Sequence, residues 1–185
     1  LLLFPDLPRQ LITLELLRRA VGHDGRFVIV VQEGEEAVVL LLRNGIVFVV
    51  MALGALDGNA EHRLADHALG QEIVQGSNLS KRIHNWCGTI RLDQSMALIA
   101  QCTSLISNDS GLMHIAAALA VPQIAIFGSS NPKHTPPLSQ KAQVIWLGLD
   151  CSPCYQRTCP LGHLNCLNQI EAERVYSMLT PLMTH

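Results

Sequence analysis

The sequence predicts an α/β protein built on a doubly wound, mostly parallel sheet. Apolar runs rich in β-branched residues alternate with segments of helical spacing from residue 26 to residue 148, which is typical of strands joined by crossover helices. Some of the runs are apolar at almost every position, as expected of strands that helices cover on both faces. The 185 residues are enough for one domain with a sizeable core.

The strands expected in this sheet are short apolar runs that end at turn residues. We predict strands at 26–32, 46–53, 103–107, 122–128 and 142–148. The segment 35–44 is ambiguous, because its valines favour a strand whereas its place in the alternation favours a helix. The run "EIVQG" (72–76) fits one further short strand.

The helices expected between these strands carry leucine, isoleucine or alanine at intervals of three and four residues. We predict helices at 8–20, 59–69, 91–102, 110–120 and 169–183. Asn59 suits the N-cap of the second of these helices, and Asp93 lies at the start of the third.

The composition excludes several classes of function. The net charge of −2, the pI of about 6.5 and the aromatic content of 4% argue against a nucleic-acid-binding surface. No targeting signal is evident, and the longest apolar stretch, 45–56, is shorter than the roughly 20 residues that span a bilayer. We therefore expect a cytoplasmic protein. Because the sequence does not begin with Met, we also expect it to be a fragment.

Polar side chains cluster where the predicted strand 103–107 meets the next helix, in "NDSGLMHIAAAL" (108–119). A helix that begins after Asp109 directs its unpaired N–H groups and the positive end of its dipole at this junction. Ser110 adds a hydroxyl, Gly111 allows close approach to the backbone, and His114 follows one turn later. These features suit a phosphate or diphosphate. Asp109 would repel a phosphate, so it either caps the helix or orients a sugar hydroxyl.

The same residues have a purely structural interpretation. Asp or Ser at a helix N-cap is common, and most such caps bind nothing. A single histidine in a helix is usually structural as well, so both interpretations of the junction remain open.

Four cysteines fall within sixteen residues of "CSPCYQRTCPLGHLNC" (151–166), with His163 among them. Cys151, Cys154, Cys159 and Cys166 could form a tetrahedral structural zinc site. The alternatives are four reduced thiols, or one or two disulfides in an oxidising compartment.

The segments "LISNDSGLMHIAAAL" and "VPQIAIFGSSNPKHTPPLS" together resemble glycosyltransferase family 9. The resemblance is to its ADP-heptose:lipopolysaccharide heptosyltransferases, particularly the heptosyltransferase II branch. Upstream "NWCGTIRLDQSMALIAQC" and downstream "CSPCYQRTCPLGHLNCL" fit the same family. The similarity extends from about Val47 to the C-terminus.

The resemblance implies a GT-B architecture, in which two Rossmann-like domains face each other across a cleft. This chain resembles the C-terminal, donor-binding half. The implied division is an unmatched helix or linker at 1–25, a nucleotide-sugar-binding Rossmann-like domain at 26–170 and a C-terminal helix at 171–185.

The resemblance also assigns roles to individual residues. Family members hold the donor diphosphate with the segment that corresponds to Asp109, Ser110, Gly111 and His114. Further implied donor contacts are Ile90 against the adenine, Glu61 at the ribose, and Ser129 in the loop 128–140.

The implied function is transfer of heptose from ADP-heptose to the lipopolysaccharide inner core, without a required cofactor and with peripheral contact with the inner membrane. The acceptor site and the general base are expected in an N-terminal domain, so no catalytic residue is assigned in this chain. Residues 26–45 also lack the Ser/Thr-rich loop and the lysine that open this domain in the family. Two alternatives follow: a truncated, non-catalytic nucleotide-sugar-binding remnant, or a metal-binding interaction module that uses the cysteines.

Overall fold

The computed structural model describes residues 37–42, 48–52, 67–68, 70–71, 74–75, 83–156 and 158–184. Its strands are β1 (Ala37–Leu42), β2 (Phe48–Ala52), β3 (Ile83–Asn85), β4 (Cys102–Asn108), β5 (Gln123–Phe127) and β6 (Ala142–Trp146). Its helices are α1 (Leu92–Ile99), α2 (Gly111–Ala118), α3 (Asn165–Asn168) and α4 (Ala172–Leu179), followed by a 3₁₀ helix at Thr180–Thr184. Within these residues, no helix has the length and apolar character needed to cross a membrane.

The six strands form one sheet in the order β3-β2-β1-β4-β5-β6. The pairs β2–β3, β4–β5 and β5–β6 are parallel, whereas β1 is antiparallel to both of its neighbours. Among the described strands, all except β1 therefore run in one direction. The mostly parallel α/β sheet is confirmed, with β1 as an inserted reversed strand. The connection from β1 to β2 is residues 43–47, which is too short for the crossover that a parallel pair requires.

Most predicted elements are present, with boundaries that differ by a few residues. The helix expected at 91–102 ends at Ile99 because Cys102 already pairs in β4. The strand expected at 72–76 is wrong, since Val74 and Gln75 are helical; a short apolar run does not distinguish the two states by itself. Strand β3 and helix α3 were not expected from the sequence.

Several predictions fall on other parts of the chain. The helix at 8–20, the strand at 26–32 and most of the helix at 59–69 lie outside the described residues. The proposed division at residues 25 and 170 stays a prediction. Helix α4 does lie in the expected C-terminal segment, and its Val175 and Leu179 are fully buried.

The core lies against the faces of the central strands. Ile99 of α1, Leu105 of β4 and Leu112 of α2 form one buried cluster. Met113 of α2 packs with Ala125 and Phe127 of β5 in a second cluster. Helix α2 thus presents adjacent side chains to both clusters, so burial of these apolar groups fixes its position at the end of β4.

Candidate functional site

The loops that follow β4 and β5 leave the sheet at the same edge. Asn108, the last residue of β4, lies opposite Ile126, and Phe127 lies opposite Trp146 at the end of β6. In open parallel sheets, ligands bind outside this carboxyl edge. The junction 108–111 and the loop 128–140 therefore flank one place on the molecule.

Ser110 occupies the N-cap position of α2 but does not cap the helix. Its backbone is extended, at φ −148° and ψ 166°, and its side chain makes no cap hydrogen bond. The residue is only 6% exposed, and its Oγ has no hydrogen-bond partner among the described residues. A buried hydroxyl without a partner costs about 1–3 kcal/mol. A hydrogen bond to a ligand oxygen at the junction would offset that cost.

The first turn of α2 is open to solvent on the side of the junction. Gly111 and His114 are exposed, whereas Leu112 and Met113 between them are buried. Residues three apart share a face of a helix, so the His114 imidazole lies on the same side as the Gly111 backbone. The unpaired N–H groups of the first turn and the positive end of the dipole suit an anion here.

The loop 128–140 is attached to the junction through one hydrogen bond between side chains. Thr135 Oγ1 donates to Asp109 Oδ2 over 3.0 Å. This contact connects the two strand ends across 26 positions of sequence. One oxygen of the Asp109 carboxylate is therefore occupied by Thr135.

A second unpaired hydroxyl lies in the same loop. Ser130 Oγ is buried and has no hydrogen-bond partner among the described residues. Asn131 shapes the turn that follows, because its Oδ1 accepts the Lys133 N–H at 2.9 Å and its carbonyl accepts the His134 N–H at 2.9 Å. Ser110 and Ser130, one after each strand, thus both carry a buried hydroxyl without a hydrogen-bond partner among the described residues.

The remaining predicted donor contacts lie in three different settings. Ile90 is half-buried two residues before α1 and packs against the cluster of Ile99 and Leu112. Ser129 is half-buried at the start of the loop after β5. Glu61 lies outside the described residues.

The cysteine segment forms a separate pocket beside this edge. Its lining includes all four clustered thiols, His163 and Ser129. The structure shows no disulfide bond among the four cysteines of this motif, so it does not show the disulfide alternative. These are Cys151, Cys154, Cys159 and Cys166.

The thiols are not placed as ligands of one ion. Within the described part of the chain, no three His, Cys, Asp or Glu side chains are arranged to hold a metal. The zinc site stays a prediction, and elemental analysis of the purified chain tests it.

Cys159 is expected to be the thiol of this pocket that alkylating reagents modify below the usual pH. The backbone N–H of Leu164 lowers its pKa most; burial opposes this, and the N–H groups of Leu161, Gly162 and His163 lower the pKa further. Because the thiolate is the nucleophile, its fraction rises at a lower pH than in a free thiol. Iodoacetamide labelling followed by peptide mass spectrometry should show half-maximal modification of Cys159 below the pH found for glutathione. Cys159→Ser supplies the control, and labelling that tracks glutathione would contradict the expected shift.

The contacts that connect the loop 128–140 to its surroundings were not expected from the sequence. The hydrogen bond from Thr135 to Asp109 joins residues 26 positions apart in the sequence, and no local sequence pattern predicts it. Tyr155 contacts the loop as well. Its position in the sequence, among the clustered cysteines, gives no sign of this contact.

The family model described as glycosyltransferase family 9 (heptosyltransferase) matches residues 55–165, which is more than half of the chain. Lipopolysaccharide heptosyltransferase 2 of Escherichia coli K12 is 40% identical over 122 residues, covering 64% of this chain and 34% of that protein. The similarity to this family that the motifs suggested is thereby confirmed.

Two solved structures share the fold. The E. coli ADP-heptose lps heptosyltransferase II has a TM-score of 0.53 and 38% identity. A family 9 glycosyltransferase from Veillonella parvula has a TM-score of 0.54 and 27% identity. Each match covers 64% of this chain and 34% of the other, so the chain spans about a third of the length of these relatives.

Proposed function

Because this chain belongs to glycosyltransferase family 9, we propose that it binds a nucleoside-diphosphate sugar at the N-terminus of α2. The observation that carries the proposal is the buried Ser110 hydroxyl, which has no partner among the described residues and lies at a solvent-open helix N-terminus. A diphosphate supplies the acceptor oxygens that this hydroxyl and the first-turn N–H groups require.

The proposed donor is ADP-heptose, and the proposed reaction is transfer of heptose to the lipopolysaccharide inner core. Support for the sugar comes from the relatives named heptosyltransferases. This chain would supply the donor-binding half, and the acceptor hydroxyl would be bound and deprotonated by residues of another domain. Such a reaction would bring the chain to the surface of the inner membrane.

The residues of the junction have distinct parts in this proposal. As the acceptor oxygen bonds to the anomeric carbon, the bond from that carbon to the diphosphate breaks and negative charge grows on departing ADP. The dipole of α2 and the exposed His114 imidazole stabilise that charge. Asp109, held by Thr135, orients a hydroxyl of the ribose or the sugar. Ile90 and Ser129 are the proposed contacts to the adenine and to the loop side of the donor.

Calorimetry with ADP-heptose tests the proposal on the chain and on His114→Ala. A hydrogen bond to a charged group contributes about 1.5–3 kcal/mol, so the variant should bind the donor about 10-fold more weakly or worse. Arg174→Ala is the matched control, because it removes a positive charge from an exposed position on α4. Equal donor affinity in the parent and in His114→Ala would remove the imidazole from the site. Equal losses in the two variants would indicate only general charge attraction.

A further inference from the structure

The segment Cys151–Gln156 contacts the loop 128–140 at several points. We propose that this segment is a brace for the loop and that Tyr155 is its positioning residue, holding His134 and Ser129 in place. The inference rests on the proposed function only in taking this loop as one wall of the donor site.

The backbone of Tyr155 makes the first contact. Its N–H donates to the Ser129 carbonyl over 2.8 Å. Tyr155 adopts φ +55°, in the left-handed region that residues other than glycine seldom occupy, and this rotation about its N–Cα bond sets where the side chain lies relative to that amide. The left-handed backbone of Tyr155 thus accompanies contacts made by both its amide and its ring.

The side chain of Tyr155 makes the second contact. Its hydroxyl lies 2.9 Å from His134 Nδ1, and the two ring planes are nearly parallel, within 8°, with centroids 6.1 Å apart. His134 immediately precedes Thr135, the residue that donates to Asp109. The tyrosine side chain therefore fixes the loop one residue away from its attachment to the junction.

Ser152 anchors the other end of the brace. It is 9% exposed, its hydroxyl donates to the Gly128 carbonyl, and it accepts the Trp146 indole N–H at 3.2 Å. The segment thus bonds to consecutive carbonyls of the loop, at Gly128 and Ser129. The hydrogen bond from Trp146 to Ser152 connects it to the last residue of strand β6.

Two substitutions of Tyr155 distinguish the contribution of its hydroxyl from that of its ring. Tyr155→Phe removes the hydrogen bond to His134 and keeps the ring, whereas Tyr155→Gly removes the ring and keeps a left-handed backbone without strain. Tyr176→Phe on α4 is the matched control. Cleavage by a lysine-specific protease after the exposed Lys133 reports on the loop, and cleavage after the exposed Lys141 in the same molecule is the internal reference.

Relative cleavage at Lys133 should rise about 3-fold in Tyr155→Phe, rise further in Tyr155→Gly, and stay unchanged in Tyr176→Phe. ADP affinity should fall in the same order while the melting temperature stays within a degree or two, about the scatter of a neutral surface change. The double variant Tyr155→Phe/His134→Ala should lose no more affinity than the worse single variant, because both act through one contact.

An unchanged cleavage ratio in Tyr155→Gly overturns the brace. A raised ratio with undiminished ADP affinity overturns the positioning role. If the parent chain binds no ADP, the proposed function fails, and the cleavage ratio alone decides whether the segment braces the loop.

Discussion

Ser110→Ala is expected to weaken ADP binding by about 10-fold or more and, at the same time, to leave the ligand-free protein as stable as before or more stable. The two effects have opposite signs because the hydroxyl is useful only with a ligand. Its Oγ is buried without a partner among the described residues and does not cap α2, so its removal relieves a desolvation penalty of about 1–3 kcal/mol. In the complex, the same removal deletes a hydrogen bond to a charged group, which contributes about 1.5–3 kcal/mol.

Ser104→Ala is the matched control for this change. Ser104 lies on β4, the strand that precedes Ser110, four positions before the strand ends. It is 1% exposed and also has an Oγ without a partner among the described residues. The control should raise or maintain the melting temperature and leave ADP affinity unchanged. Thermal melting measures the stability of both variants, and calorimetry measures their affinity for ADP. If Ser110→Ala lowered stability and left affinity intact, Ser110 would be a structural cap.

Gly70→Ala should destabilise the fold by about 1–3 kcal/mol, the usual cost of overpacking. This is the reverse of the stabilisation that Gly to Ala gives in an open helical position. A Cβ on the buried, helical Gly70 would lie 2.9 Å from Asn85 Nδ2 and closer still to Oδ1. Asn85 cannot simply turn away, because it donates to the His67 carbonyl at 2.8 Å and accepts the Cys87 N–H at 3.1 Å.

A double-mutant cycle checks the cause of this loss. Asn85→Ala alone should be destabilising, since it abandons both hydrogen bonds, but in the Gly70→Ala background it should cost much less because the overlap is relieved. Urea denaturation of the four proteins measures the coupling. Additive losses would show that the two residues do not meet as the structure places them.

The sequence predicts those parts of this fold that local pattern controls. The alternation of apolar runs and helical segments is visible because each element buries its own face, and β4, α2 and β5 follow it closely. The reversed direction of β1 follows from its short connection to β2, but the sequence left open whether residues 35–44 form a strand or a helix, so the reversal could not be derived from it. Strand β3 is only three residues long, too short for period-two alternation to be distinguished from chance.

The candidate site likewise has one part that the local sequence predicts and another part that depends on tertiary structure. The sequence predicts Asp109, Ser110, Gly111 and His114 as site residues because they lie within six positions of one another at one strand-to-helix junction. The loop contacts depend on tertiary structure: Thr135 meets Asp109, and Tyr155 meets His134, only because β4, β5 and β6 end at the same edge. The Ser110 hydroxyl has no partner among the residues described and does not cap α2; the sequence does not reveal this, because Ser at an N-cap position usually caps the helix.

The most direct test of the diphosphate site is calorimetry of the chain with ADP and, as the matched ligand with one phosphate fewer, AMP. If the N-terminus of α2 and the Ser110 hydroxyl hold the diphosphate, ADP binds saturably at millimolar concentration or below. AMP should then bind about 10-fold more weakly or worse, because it lacks the charge-assisted bonds of the second phosphate. No heat of binding at millimolar ADP, or AMP affinity equal to that of ADP, would contradict the site.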